Sequence, residues 1–149
     1  VTSHRDAWHA LMDAHATVVC AVERTFAAAG LPPLGWFEVL AALATAEGQM
    51  LRPRELLDHV RLSKSGLTRL VDRLEEAGLV ERARCPKDRR GYHVVLTAAG
   101  RATYERMAPL YEEVLRRHLS EAISADEASD LASLLRRLAT DPGKVASGS

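Results

Sequence analysis

Apolar residues recur every three to four positions over residues 5–29, at Trp8, Leu11, Met12, Val18, Val19, Val22 and Phe26, with His15 on the same stripe. That spacing predicts a long amphipathic helix, stopped by Gly30 and the Pro32–Pro33 pair. Residues 34–46 predict a second helix, apolar nearly all round through Trp36, Phe37, Val39, Leu40 and Leu43, and therefore central and buried. "RPRELLDHV" reads as a short third helix with Pro53 in its first turn, where the missing N–H costs nothing. "RLS" is a turn. Ser63 caps the next helix, "SKSGLTRLVDRLEEAG", and Gly78 ends it. Two strands follow, "LVERA" and "YHVVLT"; the second alternates cleanly through Tyr92, Val94 and Leu96, the first poorly. Thr97 caps a fifth helix reaching about Ala122, with Pro109 inside it and expected to bend it. "SADE" (Ser124 to Glu127) is a capping box opening a last helix striped by Leu131, Leu134, Leu135 and Leu138. The tail "DPGKVASGS" is small and polar and is expected to fray. The fold class is mainly α (α+β).

Composition changes this picture little. With 149 residues, 47% hydrophobic and 27% charged, one domain with a real core is the default. No stretch approaches a membrane span, and the charged start "VTSHRDAWHALMDAH" is not a signal peptide, so a cytoplasmic protein is expected. The two cysteines, Cys20 and Cys85, have no metal-ligand spacing and read as free thiols.

Charge changes it more. The net charge is zero, but it is segregated. Residues 52–93 hold eleven Lys/Arg against seven Asp/Glu, a net +4, whereas residues 1–51 carry −3 and residues 94–149 carry −1. Docking on phosphate depends on that local field more than on the total.

On a helical wheel, Leu67, Leu70, Val71 and Leu74 gather on one side of the fourth helix; Ser65, Arg69, Asp72 and Glu76 lie opposite, flanked by Thr68 and Arg73. Along the axis Lys64 and Arg69 come early and Glu75 and Glu76 late, the reverse of what the helix dipole favours. Cations, hydroxyls and a glycine at the N-terminal end suit insertion into a DNA major groove. Ser63, Lys64, Ser65 and Thr68 can meet phosphates or base edges, Arg69 a guanine or a phosphate, and Gly66 permits close approach. A charged helix face alone is ordinarily just solvated. Here the order of parts decides: short helix, turn, longer helix, hairpin with a basic tip, which is a winged helix-turn-helix.

The tip is "CPKDRRGY", residues 85–92. Arg89 and Arg90 are placed to probe a minor groove, whose narrow form attracts arginine. Asp88 is expected to pair with Arg90 or a nearby cation and pre-set the loop, leaving Lys87 and Arg84 to the phosphate backbone. The competing reading is a solvated loop whose charges prevent edge-to-edge aggregation.

"LSKSGLTRLVDRLEEAGLVERARCPKDRRGYHVVLTAAG", Leu62 to Gly100, resembles the MarR family of bacterial transcriptional regulators, with its recognition helix, "D-R-R" wing tip and "LT-x-x-G". The similarity extends over about Ala7 to Ala139. It implies a winged helix-turn-helix lobe over 34–97 and a helical dimerisation lobe from 5–29 and 98–140. It also implies a homodimer on a roughly palindromic duplex operator. A two-fold dimer sets the recognition helices about 34 Å apart, one DNA turn. The apolar stripes of the first and last two helices point to dimerisation independently, against plain packing within one chain.

The resemblance further implies release by a small phenolic or anionic effector. Trp8, His9, Met12 and His15 of the first helix, with Trp36 and Met50, are candidate walls; ordinary core and interface roles compete, and His15 would then be satisfied by a neighbour. An oxidant-sensing Cys20 is a further alternative, weakened because valine surroundings are expected to bury that thiol and blunt it. Zinc on His9, His15 or His118 lacks a recognised spacing. No cofactor motif, phosphate loop, nucleophile elbow or catalytic triad is present, so no enzyme is expected. A winged-fold protein-interaction module that does not read DNA is the second class.

Overall fold

In the computed structural model, which describes residues 3–85 and 88–140 and, for 88–90, the backbone alone, the chain divides into two compact units, Val1–Glu112 and Glu113–Ser149. Helix α1 (His4–Ala28) is opened by a capping box in which Ser3 and Asp6 satisfy each other's backbone N–H groups. Helix α2 (Leu34–Thr45) follows the Pro32–Pro33 break. Proline cannot supply a side-chain cap, and the Leu34 N–H instead donates to Glu23 Oε1 of α1 at 2.5 Å. Phe37, Val39, Leu40, Ala42 and Leu43 of α2 are buried, as its all-round apolarity requires.

Beyond α2 the chain makes a tight turn with Gly48 at positive φ, then strand β1 (Met50–Leu51). Helix α3 (Pro53–Leu56) is shorter than the expected 52–60; hydrogen-bonded turns carry the chain to the buried Val60. Helix α4 (Lys64–Glu76) ends in a full Schellman arrangement. Gly78 sits at φ +75°, its N–H donates to Glu75 O, and the Leu79 N–H donates to Leu74 O.

Strands β2 (Val80–Cys85) and β3 (Asp88–Leu96) form an antiparallel hairpin, and β1 pairs with the far edge of β3, giving the order β1-β3-β2. The arms are longer than expected. Cys85, Asp88, Arg89, Arg90 and Gly91, read as loop, lie in strands; the polar faces of this hairpin hide the alternation that would have revealed them. Strand β1 was not expected at all, since two residues carry no periodicity.

Helix α5 (Ala98–Leu115) begins in the first unit, with Thr97 as its cap and Pro109 inside it. Phe37 packs against Phe26 (5.7 Å between centroids), Tyr104 (5.8 Å) and Tyr111 (4.7 Å), which welds α1, α2 and α5.

In the second unit the helical course continues toward the expected end near Ala122, but not as α-helix. A wider turn of i→i+5 bonds spans Arg116–Ser120, closed by Glu121 N–H donating to Arg116 O. The Arg116 side chain bridges Glu113 at 2.8 Å and Glu121 at 2.6 Å. Helix α6 (Ala125–Ala139) opens with the expected Ser124–Glu127 capping box. Its Leu131, Leu134 and Leu138 are exposed. No described helix is long and apolar enough to cross a membrane.

Candidate nucleic-acid interface

The amphipathic wheel of α4 is realised in space. Leu67, Leu70, Val71 and Leu74 are buried, while Lys64, Ser65, Thr68, Arg69, Asp72, Arg73 and Glu76 are exposed. Burying one complete face fixes the helix on the core and presents the other as a rigid surface. Lys64, Arg69 and Arg73 have no ion-pair partner among the described residues, so their charges are available to an external anion. The N-terminus of α4 adds the first-turn N–H groups of Lys64 and Ser65, which no helix can satisfy internally.

The hydroxyls are partly committed. Ser63 Oγ accepts from Gly66 N at 3.1 Å and lies 3.2 Å from Ser65 Oγ; Thr68 Oγ1 donates to Lys64 O at 2.9 Å. Gly66 leaves room for the cap, since a Cβ there would stand 3.2 Å from Ser63 Oγ.

The hairpin stands directly after α4. Arg84 is exposed on β2. The register pairs Arg84 with Tyr92 and then Cys85 with Asp88, so a bulge passes over Arg89, Arg90 and Gly91. Bulges of this kind re-aim side chains at the rim of a sheet. Lys87 lies outside the described residues, as do the side chains of Asp88, Arg89 and Arg90, and with them the expected Asp88–Arg90 pair.

Arg82 escaped the sequence reading. From β2 it reaches back to α4, donating from Nη2 to Asp72 Oδ1 (2.5 Å) and from Nη1 to Glu75 Oε1 (2.8 Å), while its backbone N–H donates to Glu75 Oε2 (3.2 Å). Its guanidinium lies over the Tyr92 ring, 5.3 Å from the centroid. Burial works against this charge, yet Tyr92, Asp72 and Glu75 hold the group above the ordinary arginine value. Its only signal in the sequence was the presence of acids, Asp72 and Glu75, in the second half of a helix expected to meet phosphate.

The effector candidates sit on separate elements. Trp8, His9, Met12 and His15 are exposed on α1, Met50 is exposed on β1, and Trp36 is half-buried on α2. His15 is therefore not a satisfied core histidine. Cys20 is also exposed, against the expectation that valines bury it. It stands two residues, about 200° of wheel, from the buried Val22, and so faces the other way.

A cleft of ≈ 390 Å³ opens instead between α2 and α5, lined among others by Phe37, Glu38, His59, Arg61, Tyr104 and Tyr111. Arg61 pairs with Glu38 at 3.7 Å. Burial, then the Glu38 and Glu112 carboxylates, raises the Tyr111 hydroxyl above its usual range. None of these lining residues was foreseen as a ligand contact; Arg61 was read as turn and Phe37 as core.

The comparisons with known proteins agree with this geometry. A MarR family model matches residues 29–91. The multiple antibiotic resistance protein MarR of Escherichia coli (strain K12) is 35% identical over 102 residues, 68% of this chain and 69% of that protein. The structure of Sco3205, a MarR family transcriptional regulator from Streptomyces coelicolor in complex with DNA, superposes with a TM-score of 0.85 at 25% identity, covering 93% of this chain and 89% of that one. AbsC, a MarR family regulator from the same organism, gives 0.85 at 28% identity, covering 93% and 95%. From the wheel of α4 to the hairpin that follows it, and from sequence identity to superposition, this chain belongs to the MarR family of transcriptional regulators.

Proposed function

We propose that the chain is a dimeric DNA-binding repressor that lays α4 in the major groove of a pseudo-palindromic operator and the β2–β3 hairpin beside it toward the minor groove. The single observation that carries this reading is the outward face of α4, where Lys64, Arg69 and Arg73 stand exposed, without ion-pair partners among the described residues, on a helix fixed by its buried face. The DNA held by the structurally similar Sco3205 supports it. On this reading Ser63 to Gly66, Thr68, Arg69 and Arg73 meet the duplex from the helix; Arg84, Lys87, Asp88, Arg89 and Arg90 do so from the wing. Dimerisation is supported by apolar side chains left uncovered on α6 (Leu131, Leu134, Leu138) and on α1 (Trp8, Met12). The 34–97 lobe then reads DNA, and 5–29 with 98–140 joins the two copies.

A small effector is the proposed release signal. The α2–α5 cleft, with Arg61 and His59 at hand for an anionic group and aromatic walls beneath, suits a phenolic acid. Trp8, His9, Met12, His15, Trp36 and Met50 stay as proposed contacts where a second copy covers them. The exposure of Cys20 supports a second reading, an oxidant-responsive thiol. Loss of an oxidant response in Cys20→Ser, with the metabolite response retained, would establish it.

Selecting bound fragments from genomic DNA with the purified chain tests the main reading. The expected result is enrichment of fragments sharing an inverted repeat. Recovery of no fragment above background would leave the protein-interaction module as the better account.

A further inference from the structure

A helix that approaches phosphate is not helped by exposed carboxylates, yet Asp72 on the outer face of α4 and Glu75 on its flank have side chains 54% and 43% exposed. Nor does their place late in the helix suit its dipole. Both acids are taken by one residue from the next element. Arg82 spends Nη1 and Nη2 on two different carboxylates and its backbone N–H on a third oxygen. Its own side chain is 24% exposed, sheltered over Tyr92 of β3.

Three elements therefore meet at one guanidinium: α4 through the acids, β2 through the backbone, and β3 through the ring. Tyr92 is itself held in register against Arg84, two residues along β2 from Arg82, so the ring and the clamp lie diagonally across the hairpin. The link between α4 and β2 is a tight turn whose left-handed Gly78 sets the direction of exit but does not bind the hairpin's distal arm. Bonds from one planar fork to two separate acids define an orientation, which a lysine ammonium, a point charge on a flexible stem, cannot reproduce.

We propose that Arg82 is a positioning residue that locks the wing hairpin to the recognition helix, through Asp72, Glu75 and Tyr92, so that helix and wing meet DNA as one rigid head. The inference rests on the DNA-binding reading above. Arg82 itself touches no phosphate in this scheme. The two carboxylates act as anchors for the wing, and Arg82 offsets one of their two negative charges where they would oppose the duplex.

The scheme makes an outcome that simple electrostatics reverses. Removing negative charge beside phosphate ordinarily tightens binding; removing these anchors loosens it. The test uses the full-length chain on a selected operator duplex, with affinity measured over a series of salt concentrations for the wild type, Arg82→Gln, Arg82→Lys and the double variant Asp72→Asn/Glu75→Gln. Circular dichroism establishes that each is folded. All three variants are expected to bind roughly tenfold more weakly, with the slope of log affinity against log salt unchanged, since the phosphate contacts remain. Arg82→Lys failing to rescue marks geometry rather than charge.

Three results overturn the proposal: wild-type affinity in Arg82→Gln; a salt slope reduced by about one in that variant, which would make Arg82 a phosphate contact; or tighter binding by the double variant. Amide hydrogen exchange without DNA separates this from the parent reading. Arg82→Gln is expected to speed exchange along β2 and β3 several-fold and leave α1 and α2 unchanged. A hairpin equally protected in both proteins refutes the lock whether or not the chain binds DNA; failure of the wild type alone to bind refutes only the DNA reading.

Discussion

At the scale of single residues, the chemistry of this chain is concentrated where helices begin and end. Thr97 Oγ1 donates to Gly78 O at 2.7 Å and accepts from Gly100 N at 3.0 Å, so one hydroxyl ties the exit of α4 to the start of α5. Gly100 allows it: a Cβ there would fall 2.0 Å from Leu79 O and 2.8 Å from Leu96 Cδ1. The family's "LT-x-x-G" is thus a cap followed by a close approach of backbones. Gly100→Ala should destabilise the protein by on the order of 3 kcal/mol, because a carbonyl rather than a flexible side chain must yield; a melting curve matching the wild type would refute the contact. Arg69→Ala should cost about 1–3 kcal/mol of operator binding if the guanidinium reads a base. Competition with scrambled duplex checks this: equal loss on every sequence would reassign Arg69 to a phosphate. The apolar and capping residues were legible because each acts within a few positions of itself. Arg82 was not, since its partners stand seven and ten residues back and meet it only once the hairpin folds over α4. Cys20 was misread by judging burial from sequence neighbours instead of from the wheel.

At the scale of elements, long periodic helices could be read from the sequence and short or polar strands could not. The residues of α2 and α4 carry enough repeated apolar positions to show which face is buried. β1 has two residues, and the distal arms of β2 and β3 are polar, so neither gives a period. The wing's length follows from cross-strand bonds, which no local pattern records. Arg90→Ala should weaken operator binding and lower the salt slope by about one; an unchanged slope and affinity would remove the wing tip from the mechanism. The i→i+5 turn in the second unit has its own electrostatic signature. Hydrogen bonds from Arg116 and Arg117 hold the Glu113 carboxyl at about 2, below its ordinary 4.5. A depressed carboxylate contributes stability above its unfolded value and loses it as pH falls through the folded one. Any acid-induced loosening of Arg116–Ser120 should therefore begin below about pH 4.5 and complete near pH 2, and salt should weaken the effect because all three side chains are solvated. Chemical shifts of the Glu113 carboxyl against pH check it; titration at the ordinary value would contradict it.

At the scale of the whole molecule, a neutral chain presents a basic central stretch, and membership of the MarR family gives that stretch its context. The net +4 of residues 52–93 includes the Asp72–Glu75–Arg82 cluster at −1, so the rest of the stretch carries +5, and Lys64, Arg69 and Arg73 within it have no ion-pair partners among the described residues. The net −4 carried by the rest of the chain limits non-specific attraction, so affinity should come from a few placed cations rather than from bulk charge. Wild-type affinity for a selected operator duplex, measured by fluorescence anisotropy from low to moderate salt, tests this most directly. The account predicts a steep, linear fall of log affinity with log salt, and a shallower line, by about one per residue, when a phosphate-contacting cation of α4 is replaced by alanine. Binding that ignores salt, or that survives alanine at Lys64, Arg69 and Arg73 together, would contradict it.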